Sequence, residues 1–531
     1  MKAHLLYEDH DFDLEADLPL NHEDLIQDLE LTPLLQAMAL GDKFLFDVSK
    51  RVLLASLDDP EAILYRQRVL ADCIAEPKII REMYAIAVGA LEDKRALWWG
   101  LNSQYPSLIL SSGVRHLEAY VVRLKDLRKI ADDHARKFHS AGLTTLFRTL
   151  QRELDDEYFQ TISYHLKQLR FRDGELMSAE LDRDNSGINF VLRSTGRGKP
   201  SLKERFGIGP RSSYSFTIPP RDDAGAQALA DLTSRGINLV ANAAAQSADH
   251  IASYFTMLRA ELGFYVSCLN LRDQLVAKGE PTSFPEPSPW RPLEFSSIDL
   301  RDVCLTLRAQ HTVVGNDVDA DAKSLVIITG ANSGGKSTFL RSVGLAQLMM
   351  QCGMFVTAGA YRASVCGGVF THFIREEDTS MTSGRLAEEL SRMSTIADQI
   401  RPHCLMLFNE SFAGTNEREG SEIGRQVVRA LLEAEIKVFF VTHQFDFAAS
   451  FLQHGESTLF LRAERHAGGQ GSYKLAAAEP LPTSFGADLY YRLGGWLGED
   501  DRHPASATSG NTPAGEALSR GSVEQRGEDV G

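Results

Sequence analysis

Paired cysteines, a surplus of basic charge and a long apolar run are all missing from this 531-residue chain. Its six cysteines, Cys73, Cys268, Cys304, Cys352, Cys366 and Cys404, include no C-x-x-C pair. That spacing argues against a disulfide scaffold and against a zinc site; it fits small buried side chains in a reducing compartment. Lys and Arg number 56 against 72 Asp and Glu, a formal net charge of -16. A general nucleic-acid binder needs cations facing the phosphates, so any such contact here must be concentrated locally. The best candidate for a membrane helix, Gly344 to Ala360, is interrupted by Gln347 and Gln351. The opening, Met1 to Asp11, turns acidic without the apolar core of a signal peptide. The expectations are no membrane partner and a cytoplasmic location. What remains is an ordinary globular composition, 43% hydrophobic and 24% charged, long enough for two or three cored units.

The pattern predicts a mostly α N-terminal half followed by an α/β nucleotide-binding half. From Leu25 to Leu91 apolar residues recur at three- and four-residue steps, as in Val69, Leu70, Cys73 and Ile74, the spacing of helices with one buried face. Val114 to Leu169 holds little Pro or Gly and predicts a long helical arm, broken near Gly142, with Leu146, Leu150, Leu154, Ile162, Leu166 and Leu169 along one stripe. A second long helix is expected from about Ala224 to Lys278. Ile251, Phe255, Leu258, Leu262, Tyr265 and Leu269 step four and three in alternation, a seam for an antiparallel partner. Some fifty residues of helix span roughly 75–80 Å, so the pair would form a lever.

Between the two helices, residues 171–223 are rich in glycine and read as hairpins and loops at the lever tip. Arg193, Arg197, Lys199, Lys203, Arg205 and Arg211 face one acid there, Glu204. The segment is either a solvated loop or a phosphate-contacting tip, since flexible positive chain follows a nucleic-acid backbone well. Five prolines between Pro281 and Pro292 predict a stiff linker and a domain boundary. The expected division is a helical core and lever domain over 1–300, an ATPase domain over 301–497, and a disordered tail over 498–531.

Chemistry is concentrated after residue 325. The β-branched run Leu325 to Ile328 suits a buried parallel strand and leads into Gly330-Ala331-Asn332-Ser333-Gly334-Gly335-Lys336-Ser337, then into a helical pattern. Strand, glycine loop and helix in that order form a phosphate cradle: backbone N–H groups and a helix N-terminus aim at the anion. Lys336 would hold the β- and γ-phosphates of ATP and Ser337 would ligate Mg²⁺. A second strand, Cys404 to Phe408, ends in Asn409-Glu410, where Glu410 is placed as the base that activates water. A third, Lys437 to Thr442, ends in His443, placed to contact the γ-phosphate or polarise the water.

These residues resemble the MutS family, DNA mismatch-repair ATPases of the ABC class of P-loop proteins. The resemblance rests on Ile328 to Arg341, on Asn409-Glu410 with Gly414-Thr415-Asn416 and Glu419-Gly420, and on Thr442-His443. It covers roughly residues 300 to 497; the helical half is similar to the family's core and lever domains in pattern, best at Leu262 to Leu269. It implies a homodimer that sandwiches two ATPs, contacts to nucleotide from Thr338 and Asn316, and a signature serine reaching the partner's γ-phosphate, Ser383 in first place and Ser380 in second.

Departures from the family are equally specific. The chain begins directly in the helical core, which implies a short form without the mismatch-reading and connector domains. Asn409 stands where the family has the Asp that supports Mg²⁺, and an amide attracts the ion less than a carboxylate, so hydrolysis is expected to be slow. Val313 or Val314 stands where the family stacks an aromatic ring on adenine. The functional expectation is an ATP-hydrolysing MutS-like protein that couples dimer closure to DNA binding in repair or recombination, without mismatch reading. The alternative is an ATP-gated switch acting on a protein or RNA partner.

Overall fold

The computed structural model describes residues 1–96, 105–171, 174–184, 186–193, 217–331, 334–375, 384–452, 457–465 and 471–482. Helices α1 (His22–Asp28), α2 (Thr32–Ala39), α3 (Lys43–Leu54), α4 (Pro60–Ala75) and α5 (Pro77–Ala96) open the chain. Asp42 and Asp59 cap α3 and α4 through their carboxylates, satisfying N–H groups that a helix start leaves free. Helices α6 (Pro106–His134), α7 (Ala141–Glu153) and α8 (Asp156–Leu169) follow, then a hairpin of β1 (Leu176–Leu181) and β2 (Gly187–Arg193), then the 55-residue α9 (Asp223–Ala277).

The seam expected on α9 is buried from Phe255 through Leu258, Leu262 and Tyr265 to Leu269. Its partners differ from expectation. Arg81 pairs with Asp273 and Lys94 with Asp249, so α5 runs antiparallel to α9. The backbone at Ala244 lies beside Gly113, and the Tyr120 ring is 5.8 Å from Phe255, so α6 runs parallel to it.

The arm predicted over Val114 to Leu169 with a break near Gly142 has that break and a second one, and so is three helices. The chain breaks at 135–140, where the Asp72 carboxylate accepts from the N–H groups of His139 and Ser140, and again before Asp155, which caps α8. The break expected near Gly142 is thus present just ahead of it; Gly142 itself lies in the first turn of α7, where a Cβ would sit 2.9 Å from both the Tyr65 hydroxyl and Val69 of α4.

Past α9 a four-stranded sheet has the order β3 (Glu286–Ser288), β7 (Ala360–Ser364), β4 (Phe295–Leu300), β5 (Asn316–Asp319). The proline-rich stretch expected as a linker supplies its edge strand β3, a position that prolines tolerate because no N–H is needed on the open side. Gln67 of α4 donates to the Pro285 carbonyl at 2.9 Å, and Ser283 bridges Val356, so the stretch is stitched to both halves. The main sheet has the order β12 (Gly471–Ala477), β11 (Thr458–Arg465), β6 (Leu325–Thr329), β10 (Lys437–Val441), β9 (Leu405–Asn409), β8 (Val369–Phe373), parallel except for β12. Helices α11 (Lys336–Gln351), α12 (Arg385–Gln399), α13 (Glu417–Glu433) and α14 (Phe445–Ala449) complete it, with α10 (Val303–Arg308) preceding β5. A mostly α half and an α/β P-loop half are thus both present, as expected.

One continuous apolar core runs from Ala3 to Leu475 and joins the halves. Polar ties reinforce the junction. Leu57 and Gln351 exchange bonds at 3.0 and 2.8 Å, and Glu30 pairs with Arg308 and with Arg341 of α11. The first twelve residues form a strap beneath α9: Leu5 and Phe12 donate to the Glu261 carboxylate, and the Tyr265 hydroxyl donates to the Leu5 carbonyl at 2.5 Å. All six cysteines are buried free thiols. Among the described residues no helix is long and apolar enough to cross a membrane. The tail 498–531 lies outside the described residues.

Candidate nucleotide site

Strand β6 is buried along its whole length, between β10 and β11, so its end is held from both sides. The loop after it must pass close to β11. Gly330 has φ of +113°, and a Cβ there would lie 2.9 Å from the Ala463 nitrogen; Gly335, the cap of α11, has φ of +88°. Both positions require glycine, which is the physical content of the motif. Asn332 and Ser333 lie outside the described residues.

Lys336 is 4% exposed, and its ammonium donates to the carbonyls of Gly330 at 2.9 Å and Ala331 at 3.0 Å. Burial pushes its pKa below the usual lysine range, against the opposing pull of Glu410. One residue on, the Ser337 hydroxyl donates to Asn409 Oδ1 at 2.8 Å. The two residues expected at the metal are therefore together, with an oxygen from each, at the ends of α11 and β9.

Glu410 follows directly in the left-handed region, φ of +54°, and its N–H still donates to Val441 of β10 at 2.9 Å. His443 comes off the end of β10, held there by Thr442 N–H on the Ile328 carbonyl at 3.0 Å. Its Nδ1 is 3.8 Å from Glu410 Oε2, an ion-pair distance. Each sets the other's titration: contact with His443 holds the Glu410 carboxyl below the usual range, and contact with Glu410 holds His443 above its own.

The Gly414-Thr415-Asn416 stretch is the start of α13. Asn416 caps the helix through Glu419 N–H, and the Thr415 hydroxyl donates to Glu419 at 2.6 Å. At Gly420 a Cβ would lie 2.2 Å from the Phe412 carbonyl, so this helix can approach the Glu410 turn only with glycine there.

A cleft of about 390 Å³ opens beside the P-loop, lined by Leu300, Leu305, Val313, Val314, Thr338 and Phe339, with His311 and Tyr473. Its size suits a small-molecule site. His311 and Tyr473 were not expected there: one sits in a loop and the other on β12, and no short spacing in the sequence links them to the P-loop. Asn316 also lines the cleft, but its amide is spent on β12, donating to the Tyr473 carbonyl at 3.2 Å and accepting from Leu475 N–H at 2.8 Å. It braces the strand that presents Tyr473.

Of the remaining expected residues, one is described. Arg193 closes β2, its guanidinium on the Ser178 hydroxyl at 2.9 Å. Arg197, Lys199, Lys203, Arg205, Ser380 and Ser383 lie outside the described residues.

Residues 58–278 match the MutS2 N-terminal domain, and residues 326–472 match MutS domain V. The chain belongs to the MutS family. Within it, the ATPase region is 31% identical over 176 residues to the DNA mismatch repair protein MutS of Thermus aquaticus, covering 33% of this chain and 22% of that one. It is 33% identical over 146 residues to the Endonuclease MutS2 of Lacticaseibacillus casei, covering 27% and 19%. The chain thus spans about a fifth of the length of these MutS relatives. The MutS2 character of the helical half refines the resemblance read from the motifs, which carried MutS alone.

Proposed function

We propose that the protein binds ATP with Mg²⁺ and hydrolyses it, and that the cycle drives closure of a homodimer on DNA. The observation that carries this reading is the convergence of Lys336, the Ser337–Asn409 pair and the Glu410–His443 pair on adjacent ends of α11, β9 and β10. The P-loop backbone and Lys336 would take the phosphates, and the base would enter the cleft, where His311 and Tyr473 offer rings that Val313 and Val314 do not. Bound Mg²⁺ would neutralise developing phosphate charge, with Ser337 and Asn409 holding it. Glu410, kept ionised by His443, would accept the proton of the attacking water, while His443 orients it.

With an amide at 409 the site would hold the cation with one formal charge fewer, and slow turnover is proposed on that ground. Asn409→Asp is expected to lower the Mg²⁺ concentration for half-maximal rate by roughly tenfold and to raise kcat. Unchanged values of both in a Mg²⁺ titration of ATPase rate would remove this account.

DNA contact is proposed through Arg193, Arg197, Lys199, Lys203 and Arg205. Anisotropy titrations with duplex, branched and single-stranded DNA should show ATP-dependent binding that weakens steeply with salt and is lost on charge reversal of those five residues. A second reading, an ATP-gated switch on a protein or RNA partner, is favoured by the described part of the hairpin, where Glu175, Glu180, Asp182 and Asp184 outnumber Arg183 and Arg193. Active ATP turnover without DNA binding at low salt would decide for it.

A further inference from the structure

Glu410 and Phe412 both occupy the left-handed backbone region, with φ of +54° and +62°. Neither is glycine, and such a residue persists in this region only where its surroundings hold it. The turn 410–412 that aims the Glu410 carboxylate is therefore a held conformation.

Part of what holds it comes from α12. Glu389 is buried, and its Oε2 accepts the Phe412 N–H. The same residue's carbonyl accepts from His372 Nε2 at 2.9 Å, which makes Nε2 the protonated nitrogen and leaves Nδ1 as an acceptor facing the Ser411 hydroxyl at 2.7 Å. The Ser411 hydroxyl also lies 2.6 Å from the His372 carbonyl, and the His372 ring stacks on Phe412 with centroids 5.4 Å apart. Arg385, on the first turn of α12, places Nε 3.6 Å from Glu389 Oε1. The turn 410–412 is thus fixed from β10, β8 and α12, with Gln444 Nε2 donating to the Phe412 carbonyl at 3.3 Å, and the one side chain that binds the Phe412 N–H is Glu389.

We propose that Glu389 is a positioning residue for hydrolysis: its bond to the Phe412 N–H fixes the left-handed turn and so the direction of the Glu410 carboxylate. The proposal rests on the reading of Glu410 as the base. It also gives α12 a physical means of adjusting that base, since any shift of α12 relative to β9 acts on this bond.

The decisive experiment is steady-state ATPase kinetics of the full chain carrying Glu389→Ala, Glu389→Gln and Glu389→Asp, with Glu410→Gln in parallel and thermal melts as a folding control. Misplacement of a reacting group by about 1 Å can cost about 10²-fold in rate. Glu389→Ala is therefore expected to lower kcat by about 10- to 100-fold with KM for ATP within about twofold. Glu389→Gln, whose amide oxygen still accepts from Phe412, should restore most of kcat. Wild-type kcat in Glu389→Ala, a matching rise in KM, or Glu389→Gln as impaired as the alanine variant would each overturn the proposal. If the alanine variant does not fold, Glu389→Asp decides. Its carboxylate is drawn back by one methylene, so kcat should fall with KM unchanged, and wild-type kcat would sink the idea. Normal turnover in Glu410→Gln would instead remove the reading of the base itself.

Discussion

Glu410→Gln is expected to reduce kcat by 10²- to 10⁴-fold, the usual contribution of a positioned base, while ATP binding persists. The isosteric amide keeps the strand end and the turn in place, so only proton acceptance is lost. The pH profile carries the same prediction in finer form. Glu410 is held below the ordinary carboxylate range and His443 above the ordinary imidazole range, each chiefly by the other. The charged pair therefore exists between those two values. As pH falls through the lowered Glu410 value, the base is protonated and kcat/KM drops; as pH rises through the raised His443 value, the imidazolium is lost. Removing the histidine cation in His443→Ala should let the Glu410 value climb, moving the acid limb to higher pH. An acid limb that stays put in His443→Ala would show that the pair does not set the titration of the base.

Lys336→Ala should weaken ATP binding by at least about 100-fold, roughly 3 kcal/mol. The ammonium is buried, and its partners are the carbonyls of Gly330 and Ala331, both groups of the loop itself. Incoming phosphate oxygens would offer it full negative charge in exchange for those neutral acceptors, and no alanine can make that exchange. Isothermal titration with ATP measures the loss directly. Affinity within fivefold of the parent would mean that backbone N–H groups and the α11 dipole bind the phosphates unaided.

The parts of this site that could be read from the sequence are those whose chemistry needs neighbouring residues. A phosphate cradle requires glycines where φ turns positive and a lysine at the helix start, so β6, the loop and α11 announce themselves within twenty residues. Glu410 and His443 were legible because each ends an apolar strand, and parallel strands bring their ends together. Glu389 was not. On an amphipathic helix beginning Arg385-Leu386-Ala387-Glu388-Glu389, nothing distinguishes the carboxylate that turns inward from the one beside it. His311 and Tyr473 were equally hidden, since they stand 162 positions apart and only the fold brings both to one cleft. The prolines of 281–292 misled for a physical reason. Proline marks loops and linkers in sequence, but here Pro287 sits on the edge strand β3, where a missing N–H is harmless.

The strap beneath α9 also sets the order in which the chain can be completed. Leu5 waits for Glu261, 256 residues later, and Glu30 waits for Arg341, 311 residues later. At about 5–20 residues per second, a ribosome takes on the order of 10–50 s to deliver Glu261 after Leu5. Throughout that interval Leu5, Leu6 and Phe12 have no long helix to lie under. The helical half therefore closes only after Glu261 has been delivered, and the apolar residues of the strap stay uncovered until then.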